Sequence, residues 1–111
     1  VPSRPFSETR QLDDLLVTLE VTPASIGRNR FRVGVADANG QPADVQRVEI
    51  TLEMLSMDMG VNRIDVQPDG AGEYIVPEGW LSMVGEWRVR VTLRRADADD
   101  VSSDFVVPVG G

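Results

Sequence analysis

From Leu15 to Val109 the apolar side chains of this chain recur at every second position, and that period limits what it can fold into. Val17, Leu19 and Val21 alternate with Thr18 and Glu20. Phe31, Val33 and Val35 alternate with Arg30 and Arg32. Val48, Ile50, Leu52 and Met54 alternate with Glu49, Thr51 and Glu53, and Trp87, Val89, Val91 and Leu93 with Arg88, Arg90, Thr92 and Arg94. Shorter runs occur at Ile64 and Val66 and at Tyr74 and Val76, and Phe105, Val107 and Val109 close the series. Alternation of this kind puts one face of a strand in a core and the other in water. No stretch carries a helical stripe. Turn chemistry falls between the runs: Asp37-Ala38-Asn39-Gly40, Pro68-Asp69-Gly70-Ala71-Gly72 and the polar corner Ala96 to Asp100.

One-sided strands must bury their apolar faces against a second sheet. The sequence therefore predicts an all-β, immunoglobulin-like two-sheet β-sandwich of about seven strands over residues 14–109, with Trp87 as a core anchor. With no cysteine, it is a sandwich of the general kind, without the disulfide of antibody domains. Residues 1–13 are polar, hold two prolines and show no period, so they read as a flexible leader or linker, and the chain reads as a piece of a larger protein. If the strands at 47–54 and 86–95 are neighbours, Glu49 and Glu53 face Arg88, Arg90 or Arg94. Exposed pairs of that kind contribute about 0.2–1 kcal/mol each and make an ordinary solvated sheet face.

A net charge of −7 argues against a nucleic-acid partner, which requires a positive stripe. The chain has no histidine, no cysteine and no lysine, and all eleven basic residues are arginine. The usual nucleophile–base pairs are therefore missing, and no carboxylate falls on an apolar strand position where burial would tune it for proton transfer. We expect no enzyme. Asp97, Asp99 and Asp100 gather hard oxygens that calcium favours, without the twelve-residue spacing of known calcium loops.

The soft donors are four thioethers. Met54, Met57 and Met59 lie within six residues, and Met83 follows in G-W-L-S-M-V-G. A thioether needs no deprotonation and suits Cu(I). Extending the alternation past Met54 puts Met54 in the core and turns Met57 and Met59 outward together. Met83 sits on a turn that reaches the same end of a sandwich if the two strands are adjacent. Met57, Met59 and Met83 are then a candidate trigonal site for Cu(I) or Ag(I), with Trp80 as a cation–π cover or docking residue. The plainer alternative makes the methionines adaptable fillers beneath a loop and Trp80 a hydrophobic plug.

The chain resembles the YtkA-like domains, small immunoglobulin-like modules found alone or at the ends of copper-resistance membrane proteins of the CopC/CopD type. The resemblance runs from about Asp14 to Val107. It rests on D-L-L-V-T-L-E-V-T-P-A-S-I-G-R-N-R-F-R-V, D-A-N-G-Q-P, M-D-M-G, G-A-G-E-Y and L-S-M-V-G-E-W-R-V-R-V. It implies an extracytoplasmic domain, at the periplasm or cell surface, belonging to a membrane-anchored protein, with a parent or neighbouring membrane protein as partner. Met57, Met59 and Met83 match the methionine positions of the family pattern. The chain departs from that pattern in having no histidine, and in carrying Val61 and Val84 where methionine or proline is often found. Two functions follow as expectations: a copper-handling accessory domain that holds Cu(I) weakly through thioethers, or a non-metal structural or protein-interaction module that docks through the turn of Trp80, Leu81 and Met83.

Overall fold

The computed structural model describes residues 5–43, 45–55, 60–64, 66–95 and 99–110. The strands are β1 (Phe6–Leu12), β2 (Leu15–Thr22), β3 (Gly27–Asp37), β4 (Arg47–Met54), β5 (Val61–Ile64), β6 (Gln67–Pro68), β7 (Glu73–Leu81), β8 (Gly85–Arg94) and β9 (Val101–Val109). They form two sheets in which every named pairing is antiparallel, one in the order β1-β2-β3-β7-β6 and the other β5-β4-β8-β9. No helix occurs among the described residues. The fold is the immunoglobulin-like sandwich the alternation predicts.

The core is built from the residues that set the period. Val17, Leu19 and Val21 of β2 and Phe31, Val33 and Val35 of β3 face Ile50 and Leu52 of β4, Val89, Val91 and Leu93 of β8, and Phe105 and Val107 of β9, all in one buried cluster. Burying one such side chain stabilises the fold by about 1.5–3 kcal/mol, which is why a one-residue slip of any central strand is disfavoured. Trp87 lies in this core, and its indole nitrogen donates to the Met83 carbonyl at 2.9 Å.

The turns follow their chemistry. Asp37 Oδ1 accepts from the amides of Asn39 (2.9 Å) and Gln41 (3.0 Å), while Gly40 takes φ +81°. Gly72 takes φ +67° in the β6–β7 reversal, and its amide carbonyl accepts from Val35 N at 2.7 Å. A Cβ there would lie 2.5 Å from the Val35 oxygen, so the close approach requires glycine.

Two strands go beyond the seven legible runs. Residues 6–12, expected as leader, pair along their whole length with β2, from Phe6 opposite Val21 to Leu12 opposite Leu15. The pairing is a backbone ladder with a two-residue turn in which Asp13 adopts φ +58°, so it needs no apolar period. Phe6 and Leu12 pack against the core, and the Arg10 guanidinium lies 5.2 Å from the centre of the Phe105 ring. β6 is two residues long and too short to leave a pattern.

Candidate functional site

The register gathers three connections and the end of β9 at one end of the sandwich. β2 ends at Thr22 and β3 begins at Gly27, which pairs with Leu81 at the end of β7. The turn at 82–84 crosses to the second sheet, where Gly85 pairs with Val109. Met54 pairs with Trp87, and the Leu55 amide donates to the Glu86 carbonyl at 3.1 Å. The chain that leaves β4 at Leu55 returns as β5 with Val61 opposite Glu53. The M-D-M-G corner is thus entered and left beside the start of β8, immediately after the turn that carries Met83.

Met54 is buried in the core, as the parity requires. Met83 is half-buried and packs against the core edge, with its carbonyl held by Trp87. Met57 and Met59 lie outside the described residues. The topology therefore brings the β4–β5 connection and the Met83 turn to one end.

Trp80 points to solvent for an identifiable reason. On β7, Tyr74 and Val76 face the core, so unbroken alternation would turn position 80 inward. Between Asn29 and Phe31 the register shifts: Asn29 pairs with Gly79, but Phe31 pairs with Val76, leaving one extra residue on β7. A bulge of this kind exchanges the two faces of everything beyond it. Leu81 consequently enters the core at 1% exposure and Trp80 leaves it at 61%. The expected apolar turn of Trp80, Leu81 and Met83 is corrected accordingly, since Leu81 is unavailable for docking. Gly79 is required at the bulge, because a Cβ there would collide with the Phe31 ring.

Three further apolar side chains are exposed at the same end: Ile26, Leu55 and Val84. Beside Trp80, which pairs across the sheet with Arg28, the outward positions of β3 also carry Arg30. The loop beneath is rigidly held. Asn29, 2% exposed, accepts at Oδ1 from the amides of Ala24 (2.8 Å) and Ser25 (3.1 Å) and donates from Nδ2 to the carbonyls of Ser25 (2.8 Å) and Gly27 (3.1 Å). The same loop ties to the end of β9, with Ile26 N donating to Gly110 O and Gly110 N to Ala24 O, both at 3.1 Å.

The YtkA-like family model matches residues 9–92. This chain belongs to the YtkA-like family. Comparison with curated proteins and with solved structures gave no match. The matched span of this YtkA-like domain runs from β1 into β8 and contains Met57, Met59, Trp80 and Met83.

The outer face of the second sheet is the solvated ion-pair face that the strand pattern predicts. Arg88 donates to Glu53 at 2.8 Å, Arg94 lies 3.7 Å from Glu49, and Arg90 forks onto both oxygens of Asp104 at 2.7 and 3.2 Å. The hydrogen bond from Arg90 holds the Asp104 carboxyl below its ordinary range, against a smaller opposing effect of burial, and raises the Arg90 guanidinium in turn. Arg32 is raised likewise by its hydrogen bond to Glu73. A shallow recess on this face is lined by Thr51, Glu53, Arg88 and Arg90, whose charges already pair within the sheet.

At the opposite end, Asp99 and Asp100 are exposed and Asp97 lies outside the described residues. Arg95 reaches Asp13 and Asp14 at 3.2 Å each and donates to the Asp99 carbonyl, so a built-in cation sits among these oxygens. Among the described residues no three carboxylates gather as a metal site.

The sequence pattern missed Asn29 and the apolar residues Ile26 and Val84. A signal existed for the last two, because each is a lone aliphatic residue in a turn-rich segment directly before a glycine.

Proposed function

We propose that this YtkA-like domain is a non-catalytic, extracytoplasmic accessory domain of a copper-handling membrane protein, and that it takes up Cu(I) weakly through Met57, Met59 and Met83. The observation that carries this reading is the placement of the Met83 turn and the β4–β5 connection at the same end, through the Met54–Trp87 pairing and the Leu55–Glu86 hydrogen bond. The donor chemistry fits a soft monovalent ion: three neutral sulfurs, with no imidazole or thiolate in the chain to favour Cu(II) or zinc. Uncharged ligands leave the charge of the ion uncompensated, which makes binding modest and nearly independent of pH across the range where histidine or cysteine sites release metal. Trp80 stands at the same end as a reporter, and its indole face attracts a cation that approaches it.

Titration with Cu(I) or Ag(I), followed by tryptophan fluorescence, tests this. A saturable response, lost on replacing Met57 and Met59 together by leucine and weakened by Met83→Leu, is expected. An absent response, or one that survives the double substitution, overturns the reading.

The second reading, a non-metal interaction module, is favoured by a separate observation: the apolar rim formed by Ile26, Leu55, Trp80 and Val84. Rims of this kind mark contact surfaces. Retention of the membrane partner by the domain in the presence of a Cu(I) chelator, lost on Trp80→Ala, supports it over the first.

A further inference from the structure

With no cysteine in the chain, the four thioethers are its only oxidisable sulfur. The two methionines among the described residues differ in access. Met54 is 4% exposed, on an inward position of β4 opposite Trp87. Met83 is half-buried on the turn between β7 and β8, with exposed Ser82 and Val84 on either side. The sandwich seals the first from solvent and leaves the second open to it, and exposure decides how readily such a sulfur is oxidised. The backbone of the Met83 turn is held without the sulfur. Its carbonyl accepts from the Trp87 indole at 2.9 Å, and Gly85 just beyond pairs with Val109. A change at the thioether therefore alters the side chain and leaves its anchorage in place.

From this contrast we propose that Met83 is an oxidation site for peroxides, and that its conversion to the sulfoxide switches off soft-metal uptake at this end; the second half rests on the thioether reading above. The sulfur lone pair attacks one peroxide oxygen. The S–O bond forms as the O–O bond breaks, and the departing oxygen leaves as water. The thioether loses two electrons and hydrogen peroxide gains them, with no change in the charge of the protein. The product is polar and carries an oxygen on the sulfur, so a soft donor suited to Cu(I) is lost. Met54, within the core, keeps its thioether, and the fold stands while the ligand set is broken.

The test is brief treatment of the metal-free chain with dilute hydrogen peroxide, followed by trypsin digestion and mass spectrometry. Met83 falls on the peptide of residues 64–88, apart from the other three methionines, and fragment ions place the added oxygen. Met83 is expected to be oxidised about tenfold faster than Met54 in the native chain, and at the same rate in denaturant. The treated protein should keep its melting temperature and lose most of its Ag(I) response, and sulfoxide reductases of both epimer specificities with dithiothreitol should restore it. The Met83→Leu variant, given the same brief treatment, should keep its weaker response. Equal rates at Met54 and Met83 in the native chain, or an unmodified Met83, overturn the oxidation site. An Ag(I) response that survives conversion of Met83, or one lost equally in the Met83→Leu variant, overturns the switch alone. An untreated chain indifferent to Ag(I) removes the thioether reading and the switch together, and leaves the oxidation rates to decide the site.

Discussion

The two ends of this sandwich are fastened alike but present different surfaces to their surroundings. At one end Asn29 ties the β2–β3 loop by four hydrogen bonds to its backbone. At the other, the Tyr74 hydroxyl accepts from Val45 N at 3.0 Å and donates to Val45 O at 3.3 Å, fixing the link between β3 and β4. Outside these pins the surfaces diverge. The Tyr74 end exposes aspartates held by a half-buried Arg95, while the Asn29 end exposes Trp80, Val84, Ile26 and Leu55. A solvated turn serves the fold equally well at either end, so stability does not explain the apolar rim. The bulge on β7 sharpens the point, because it turns a tryptophan out of the core position that plain alternation would give it.

Substitutions can break or sharpen this comparison. The largest effect is expected for Asn29→Ala, which leaves buried amides and carbonyls without partners and lowers stability by about 3 kcal/mol in chemical denaturation. Tyr74→Phe removes the corresponding pin at the acidic end while keeping the ring, and should cost about 1 kcal/mol. The difference follows from four hydrogen bonds lost at Asn29 against two at Tyr74, and an equal cost at the two ends would contradict it. Trp80→Ser should change stability by no more than about 0.5 kcal/mol, since an exposed side chain away from structural features rarely does more. A large loss would make Trp80 part of the fold and remove it from the functional surface.

The smallest effect concerns pH and lies between the ends. The Asp104 pKa is lowered in the folded state by Arg90, so its contribution is present above the ordinary carboxylate pKa of about 3.9 and is lost as pH falls from there through the lowered folded value. The pair is partly exposed and the contribution small. Asp104→Asn should therefore flatten the acid limb of a melting-temperature profile below about pH 4 and leave the profile above it slightly lower throughout.

Much of this molecule is legible in its sequence because burial imposes the period. β4 and β8 carry four inward residues each at strict alternation, and the register sets Met54 against Trp87 and Glu53 against Arg88 as the pattern implies. Other parts are held by interactions with no period. β1 pairs through its backbone, so its polar side chains hide it. Asn29 acts by hydrogen bonds to neighbouring amides, and no alternation signals that. The exchange of Trp80 and Leu81 depends on a single inserted residue, which periodicity cannot locate when the nearest inward residues are Tyr74 and Val76. The methionines stand out in the composition, and the register places Met83 and both ends of the segment that carries Met57 and Met59 at one rim.

The most direct test of that rim is an NMR spectrum of the methionine methyl groups, selectively labelled with carbon-13, recorded during addition of Ag(I). Four resonances are expected, one for each methionine. The account predicts that those of Met57, Met59 and Met83 shift together and saturably while that of the buried Met54 stays in place. Four unmoved resonances, or a shift confined to Met54, would contradict it.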